Sequence, residues 1–295
     1  PTLDKIIIFD MEGLRNFSDD QCLSFEELIG LGRQHAIDNP ELWQREVQSA
    51  QPDDLMVLTY TSGTTGPPKG AMISQANMLF MAETLQKVYG VYPEDEQLGF
   101  LPLAHVAGRM FYIFMSMESC SVVNLVEELE TATSDQQEIS PTIHFAVPRV
   151  WEKQYSLVAI KLKEATVIGR MAYQWAIGIG GRAADFRKID KPVPVGLKLV
   201  HKIADFFVLK NIRVLLGIDS CRWLSTAAAP IAPDLIDWFW GLGKPMYEVY
   251  GQTEGAGIAT ANIPGANRIG SVGRAIEPME VTLSDQGEIL IKGPG

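Results

Sequence analysis

Four hydroxyls, three glycines and one lysine fall within the ten residues Thr61-Ser62-Gly63-Thr64-Thr65-Gly66-Pro67-Pro68-Lys69-Gly70. That composition suits a loop folded around phosphate oxygens. Glycines let backbone N–H groups approach closely, hydroxyls donate further hydrogen bonds, and Lys69 adds a point charge. The two prolines restrict the loop's freedom. A Walker loop, GxxxxGK[ST], would serve the same ligand but fails on spacing: Pro68 stands where the glycine before lysine belongs, and Gly70 where the metal-binding hydroxyl belongs. A mobile surface turn is the competing structural reading of any Gly/Ser/Thr stretch.

The loop needs a strand before it and a helix after it. An apolar run from Leu55 to Tyr60 supplies the first, and the pattern expects a loop to Gly70 and then a helix over 74–89. Further strands are expected at 97–101, 121–126, 142–147, 222–226 and 245–250, mostly separated by helix-compatible segments. This rhythm predicts an α/β fold with largely parallel sheets and flanking helices. Upstream, 5–9 reads as a short buried strand, and Ser24 with Glu27 as the capped start of a helix. After Gly251 short strand-like pieces at 280–283 and 288–292, turned by Asp285-Gln286-Gly287, predict a small β-rich subdomain. The division expected is α/β subdomains over 1–250, then the start of a β-rich subdomain over 251–295.

Composition narrows the function. A net charge of −11 argues against nucleic-acid binding, which needs a basic face. Three cysteines, Cys22, Cys120 and Cys221, form no CxxC pair, which fits a reduced, cytoplasmic protein. No apolar run reaches the length of a membrane span. The start at Pro1, without methionine or signal pattern, suggests a piece of a longer protein. One segment opposes the overall charge: 149–213 carries 13 Lys/Arg and 5 Asp/Glu, a local +8, and reads as a helical insertion. Its cationic face could contact an anionic membrane peripherally, help attract the phosphates of a ligand, or simply be solvated.

The 61–70 loop resembles the signature of the adenylate-forming (AMP-binding) superfamily of acyl-CoA synthetases, luciferases and peptide-synthetase adenylation domains. Four later segments are similar to that family's motifs in the same order. Leu101-Pro102-Leu103-Ala104-His105-Val106-Ala107-Gly108 resembles the segment whose histidine or aromatic residue lies beside the carboxylate pocket; alone, His105 would be a structural histidine. Ser225-Thr226-Ala227-Ala228-Ala229-Pro230 looks like the strand end lying along adenine, with alanines where the family more often has glycines. Tyr250-Gly251-Gln252-Thr253-Glu254 is similar to YGxTE, and 287–295 to GE(I/L)xxxGP. From Thr61 to Gly295 these cover about four fifths of the chain.

The resemblance implies ATP, Mg2+ and the cosubstrate CoA. Nucleotide contacts would come from Thr61, Ser62, Gly63, Thr64, Thr65, Gly66, Lys69, Ala228, Ala229, Tyr250, Gly251 and Thr253. In it, Tyr250 stacks on adenine, Thr253 bonds the α-phosphate and Glu254 ligates magnesium, a hard cation suited to carboxylate and phosphate oxygens. Lys69, His105, Thr253 and Glu254 would carry catalysis. The stretch Val147-Pro148-Arg149-Val150-Trp151-Glu152-Lys153, followed by the insertion, looks like long-chain fatty acyl-CoA synthetases of the bubblegum or bacterial long-chain type; Trp151 and Pro148 are otherwise read as core packing and a helix start. A tryptophan gate known in some long-chain enzymes would fall near Arg109, so it is not expected here. The family's ribose-binding aspartate, hinge and small C-terminal domain with its catalytic lysine do not occur in the sequence, and Lys292 is not that lysine. The isolated chain is therefore expected to have little adenylation activity. Alternatives are a ligase for an aryl or medium-chain acid, or a nucleotide-binding homologue that has lost catalysis.

Overall fold

The computed structural model describes residues 3–14, 17–61 and 67–295. The chain falls into two compact units, Pro1–Asp54 and Leu55–Gly295.

In the first unit, β1 (Ile6–Ile8) pairs in parallel with β2 (Cys22–Ser24), and α1 (Phe25–Asp38) and α2 (Leu42–Ser49) follow. Ser24 caps α1 through the full reciprocal box expected: its hydroxyl accepts from the Glu27 N–H while the Glu27 carboxylate accepts from the Ser24 N–H. The burial expected for 5–9 does not hold. Ile6 and Ile7 stay 44% and 40% exposed in a ribbon of only two strands. Phe9 instead stacks on Phe25 at 4.7 Å.

The second unit opens with the antiparallel hairpin of β3 (Leu55–Thr61) and β4 (Lys69–Ser74). The segment expected as loop to Gly70 thus re-enters a strand at Lys69, which pairs with Thr61. Ser74 then caps α3 (Gln75–Tyr89), whose Met78, Met81, Ala82 and Leu85 are fully buried. Next, β5 (Glu96–Gly99) lies parallel to β6 (Val122–Leu125), with α4 (Val106–Arg109), a π-helical turn over Met110–Phe114 and α5 (Met115–Ser119) between them. After α6 (Ala132–Ile139), β7 (Ile143–Ala146) begins the principal sheet.

The basic segment is helical, as expected. It comprises α7 (Pro148–Glu164), α8 (Val167–Lys188), α9 (Val195–Ala204), a π-helical turn over Asp205–Leu209 and α10 (Lys210–Leu215). Pro148 starts α7, where a missing N–H costs nothing. Trp151, fully buried, donates its indole N–H to the Ala146 carbonyl at 3.0 Å and meets Phe239 edge to face.

The chain then adds β8 (Trp223–Thr226), α11 (Pro233–Gly241), β9 (Met246–Gln252), β10 (Gly257–Ala261) and β11 (Arg274–Ala275). The sheet order is β11-β10-β9-β8-β7, parallel over β7, β8 and β9 and antiparallel beyond. A hairpin of β12 (Glu280–Leu283) and β13 (Ile289–Lys292) closes the chain, turning at Gly287 with φ 80°. The α/β class holds, but parallel and antiparallel pairings are equally represented among the described residues. Residue 250, where the boundary is expected, lies inside β9; β10 pairs with β9, and β11 with β10, in the same sheet.

One ion-pair cluster ties three of these strands together at their starts. Asp95, 2% exposed, accepts from the Arg222 Nε (3.1 Å), the Thr142 hydroxyl (2.6 Å) and the Tyr92 N–H (2.9 Å). Burial alone would raise its pKa, yet Arg222 and these hydrogen bonds hold the carboxyl below its ordinary range.

Candidate adenylate site

A cavity of about 140 Å³ is lined by His105, Ala107 and Phe111 on one side, Phe145 and Ala228 at strand ends, and Gly251, Thr253 and Gly257 around the turn after β9. Four expected site residues from three separate motifs, His105, Ala228, Gly251 and Thr253, therefore meet. Ala229, Tyr250 and Glu254 adjoin lining residues in sequence without lining the cavity themselves.

Local structure explains each placement. His105 is the N-cap of α4, and its Nδ1 accepts the Ala107 N–H at 3.1 Å. That bond fixes the tautomer, so the exposed Nε2 carries the proton and can donate to an anion. Gly108 is required by packing, since a Cβ there would lie 2.5 Å from the Pro102 carbonyl oxygen. Gly251 is required more strictly: a Cβ would stand 1.7 Å from the Gly257 carbonyl oxygen across the β9–β10 hairpin. Ala228 holds φ at 75°, a left-handed conformation that favours glycine. The strand end is thus bent as a glycine would bend it, although the residue is alanine.

Thr253 and Glu254 occupy a 3-10 turn over Thr253–Gly255, and β4 packs against that turn. Lys69, the first residue of β4, and Glu254 are thereby carried by neighbouring elements. Both are exposed, and neither forms an ion pair among the described residues. The Thr61 hydroxyl contacts the Lys69 carbonyl oxygen at 3.4 Å, closing the base of the loop. Ser62, Gly63, Thr64, Thr65 and Gly66 lie outside the described residues.

No group of three or more metal-binding side chains occurs among the described residues. Glu254, an exposed carboxylate, fits a magnesium that takes most of its ligands from phosphate oxygens and water. Thr253 lies beside it on the cavity side.

Sequence reading missed the apolar walls. Phe111 and Phe145 stack at 4.3 Å and line the cavity with Met110. The alternation of β7 could have indicated one of them, because Phe145 faces the cavity while His144 packs on the far side against Phe100 and Trp151. His144 is fully buried with both ring nitrogens unpartnered among the described residues, and burial pulls its pKa down to about 4. On β9, burial also raises Glu248 above the ordinary carboxylate range.

The model of the AMP-binding enzyme family matches residues 12–295. This chain belongs to the AMP-binding enzyme family. It is 32% identical over 282 residues to a Mycobacterium tuberculosis protein named as a fatty-acid–CoA ligase, fadD11, covering 95% of this chain and 49% of that relative. Against the long-chain-fatty-acid–CoA ligase ACSBG2 of Xenopus laevis the identity is 33% over 284 residues, covering 92% and 37%. The chain spans about half the length, or less, of these curated relatives. Among solved structures, the anthranilate CoA ligase AuaEII bound to anthranoyl-AMP superposes with a TM-score of 0.59 at 19% identity, covering 98% of this chain and 44% of that one. The o-succinylbenzoate CoA synthetase of Bacillus subtilis, solved with ATP and magnesium ion, gives 0.55 at 21%, covering 83% and 42%. These likenesses establish the shared fold of AMP-binding enzymes.

Proposed function

We propose that the protein at its native length joins a long-chain fatty acid to CoA through an acyl-adenylate. The supporting observation is the convergence of His105, Ala228, Gly251 and Thr253 on one apolar-walled cavity beside the turn that carries Glu254. A carboxylate oxygen attacks the α-phosphorus of ATP, the bond to the bridging oxygen breaks, and pyrophosphate leaves. The CoA sulfur then attacks the acyl carbon and AMP departs.

In this reading the chain's own groups position and neutralise. The Nε2–H of His105 donates to the acid's carboxylate, Thr253 to the α-phosphate, and Lys69 with the 61–66 hydroxyls to the polyphosphate. The flat edge at Ala228 and Ala229 and the ring of Tyr250 accommodate adenine. Glu254 would hold Mg2+, which when bound offsets phosphate charge. No side chain acts as a nucleophile.

The long-chain substrate is supported by the two relatives named for fatty acids and by the stacked Phe111–Phe145 wall. A second reading, an aryl or shorter acid, is favoured by the cavity's 140 Å³, below the range of sites that enclose drug-sized ligands. Acid-dependent ATP–pyrophosphate exchange, screened from acetate to long fatty acids and aryl acids, tests both. Exchange with long fatty acids supports the first reading; exchange confined to aryl or short acids replaces it with the second; none with any acid overturns both.

The proposal extends to location: a cytoplasmic protein in peripheral contact with an anionic membrane through 149–213. No described helix is long and apolar enough to cross a membrane.

A further inference from the structure

The helix α9 is apolar on two sides. Ala204 and, beyond it, Leu209 are fully buried against the core, with Leu197 and Val200 packed beside them. Val195, Leu199, Ile203 and Phe206 recur at helical spacing on another side and remain 47–84% exposed. A solvated surface helix normally has one apolar stripe. The second row spans about 17 Å at 1.5 Å per residue. Lys198 and Lys202 flank it, and Phe207, 66% exposed, extends it.

The same row runs into a charged cleft. Phe206 lines a cavity of about 500 Å³ together with Arg187, Lys202, Lys210, Arg213 and Lys244. Two of these cations are engaged: Arg213 pairs with Asp205 and, at 2.7 Å, with Asp219, while Lys244 donates to the Asp219 and Cys221 carbonyls. The side chains of Arg187, Lys202 and Lys210 have no hydrogen-bond or ion-pair partner among the described residues. Five cations against the two carboxylates of Asp205 and Asp219 leave a net charge of +3 in a chain of net −11. His201 also lines the cleft, and its Nε2 is buried without a partner.

We propose that α9 and the π-helical turn after it seat the protein on an anionic phospholipid surface, with a lipid phosphate among Arg187, Lys202 and Lys210 and the Val195–Phe206 row in the headgroup–acyl boundary. Charge selects this occupant: an uncharged apolar partner would leave the cleft uncompensated, whereas an anionic bilayer satisfies both surfaces together. The inference rests on the peripheral-membrane reading above and is independent of which acid is activated.

Co-sedimentation without ATP or acyl substrate tests it, using phosphatidylcholine vesicles with and without phosphatidylglycerol. The expected result is binding to the anionic vesicles at least about tenfold stronger than to neutral ones. Lys202→Glu with Lys210→Glu should lower it by about tenfold or more, given the contribution of each basic residue near such a surface. Leu199→Ser with Phe206→Ser should lower it comparably, and because all four side chains are exposed these variants should keep the parent's circular dichroism. Equal binding to both vesicle types overturns the proposal. So does vesicle binding unaffected by the apolar pair while pyrophosphate competes fully, which would mark a soluble-anion site. Binding by this chain but not by the protein at native length also overturns it, since other parts of the polypeptide would then cover the row. Loss of pyrophosphate exchange with intact vesicle binding would instead fail the ligase reading alone.

Discussion

The strand-end cavity and the α8–α10 helices hold polar groups by opposite means. At the cavity, position comes from backbone: a carbonyl that admits only Gly251, a strand end bent at Ala228, and an N–H that orients His105. Lys69 and Glu254, carried by β4 and by the turn after β9 rather than lining the cavity, remain without ion-pair partners among the described residues. Among the helices, position comes from salt bridges, with Arg213 clamped between Asp205 and Asp219. Unpaired charge therefore means different things in the two places. Beside a rigid backbone cradle it is available to a ligand of fixed shape; beside an exposed apolar row it suits a surface.

Charge removal should separate the regions most sharply. In the native-length protein, Glu254→Gln or Lys69→Ala should reduce acid-dependent pyrophosphate exchange by about a hundredfold or more, the scale of losing one preorganised charge-stabilising group. The unfolding midpoint should not move, because both side chains are exposed. Lys202→Glu with Lys210→Glu should leave exchange unchanged. If instead the helical pair lowers exchange as strongly, the two regions are one site.

The next effect concerns the frame that carries the cavity. Asp95→Ala removes the acceptor of the half-exposed Arg222, of the Thr142 hydroxyl and of the Tyr92 N–H at the starts of β5, β7 and β8, and should cost about 3 kcal/mol in urea unfolding. Since the Asp95 pKa is depressed, the wild type has this stabilisation above the ordinary carboxylate range and loses it as pH falls through the depressed value. The variant should lack that part of the acid sensitivity.

His144, on the reverse face of β7, gives a smaller and differently placed effect. It stays neutral when folded down to about pH 4, while the unfolded chain takes up its proton near the ordinary value. The unfolded state thus binds more protons between those limits, and stability drops by up to about 3 kcal/mol as pH is lowered through that window. His144→Phe should flatten this part of the profile. An unchanged slope would mean that the ring is hydrated in solution.

What could be read from sequence follows the range of the interactions involved. The Ser24–Glu27 cap, the β12–β13 turn and the strand ends near Thr226 and Tyr250 depend on residues close in the chain, and the residue patterns carry them. The pairing of Thr61 with Lys69 depends on register across a hairpin, so β4 was hidden in what reads as loop. The exposure of β1 depends on a covering layer that no local pattern encodes. Phe111 and Phe145 become a cavity wall only when α4 and its π-helical turn meet β7. The charge of 149–213 was evident, but its division into engaged and free cations was not.

The smallest expected effect is the most direct comparison of the two regions, because one substitution should have opposite signs. At Ala228, φ of 75° strains the Cβ, and Ala228→Gly should raise stability by up to about 1 kcal/mol, the relieved strain exceeding the extra entropy of the unfolded chain. In the interior of α8, where the backbone is regular, Ala172→Gly should lower stability by about 1 kcal/mol. Urea unfolding of both variants measures the pair. A loss at both positions would mean that the bend at Ala228 relaxes in solution, and with it the argument that this strand end is held in shape before a ligand arrives.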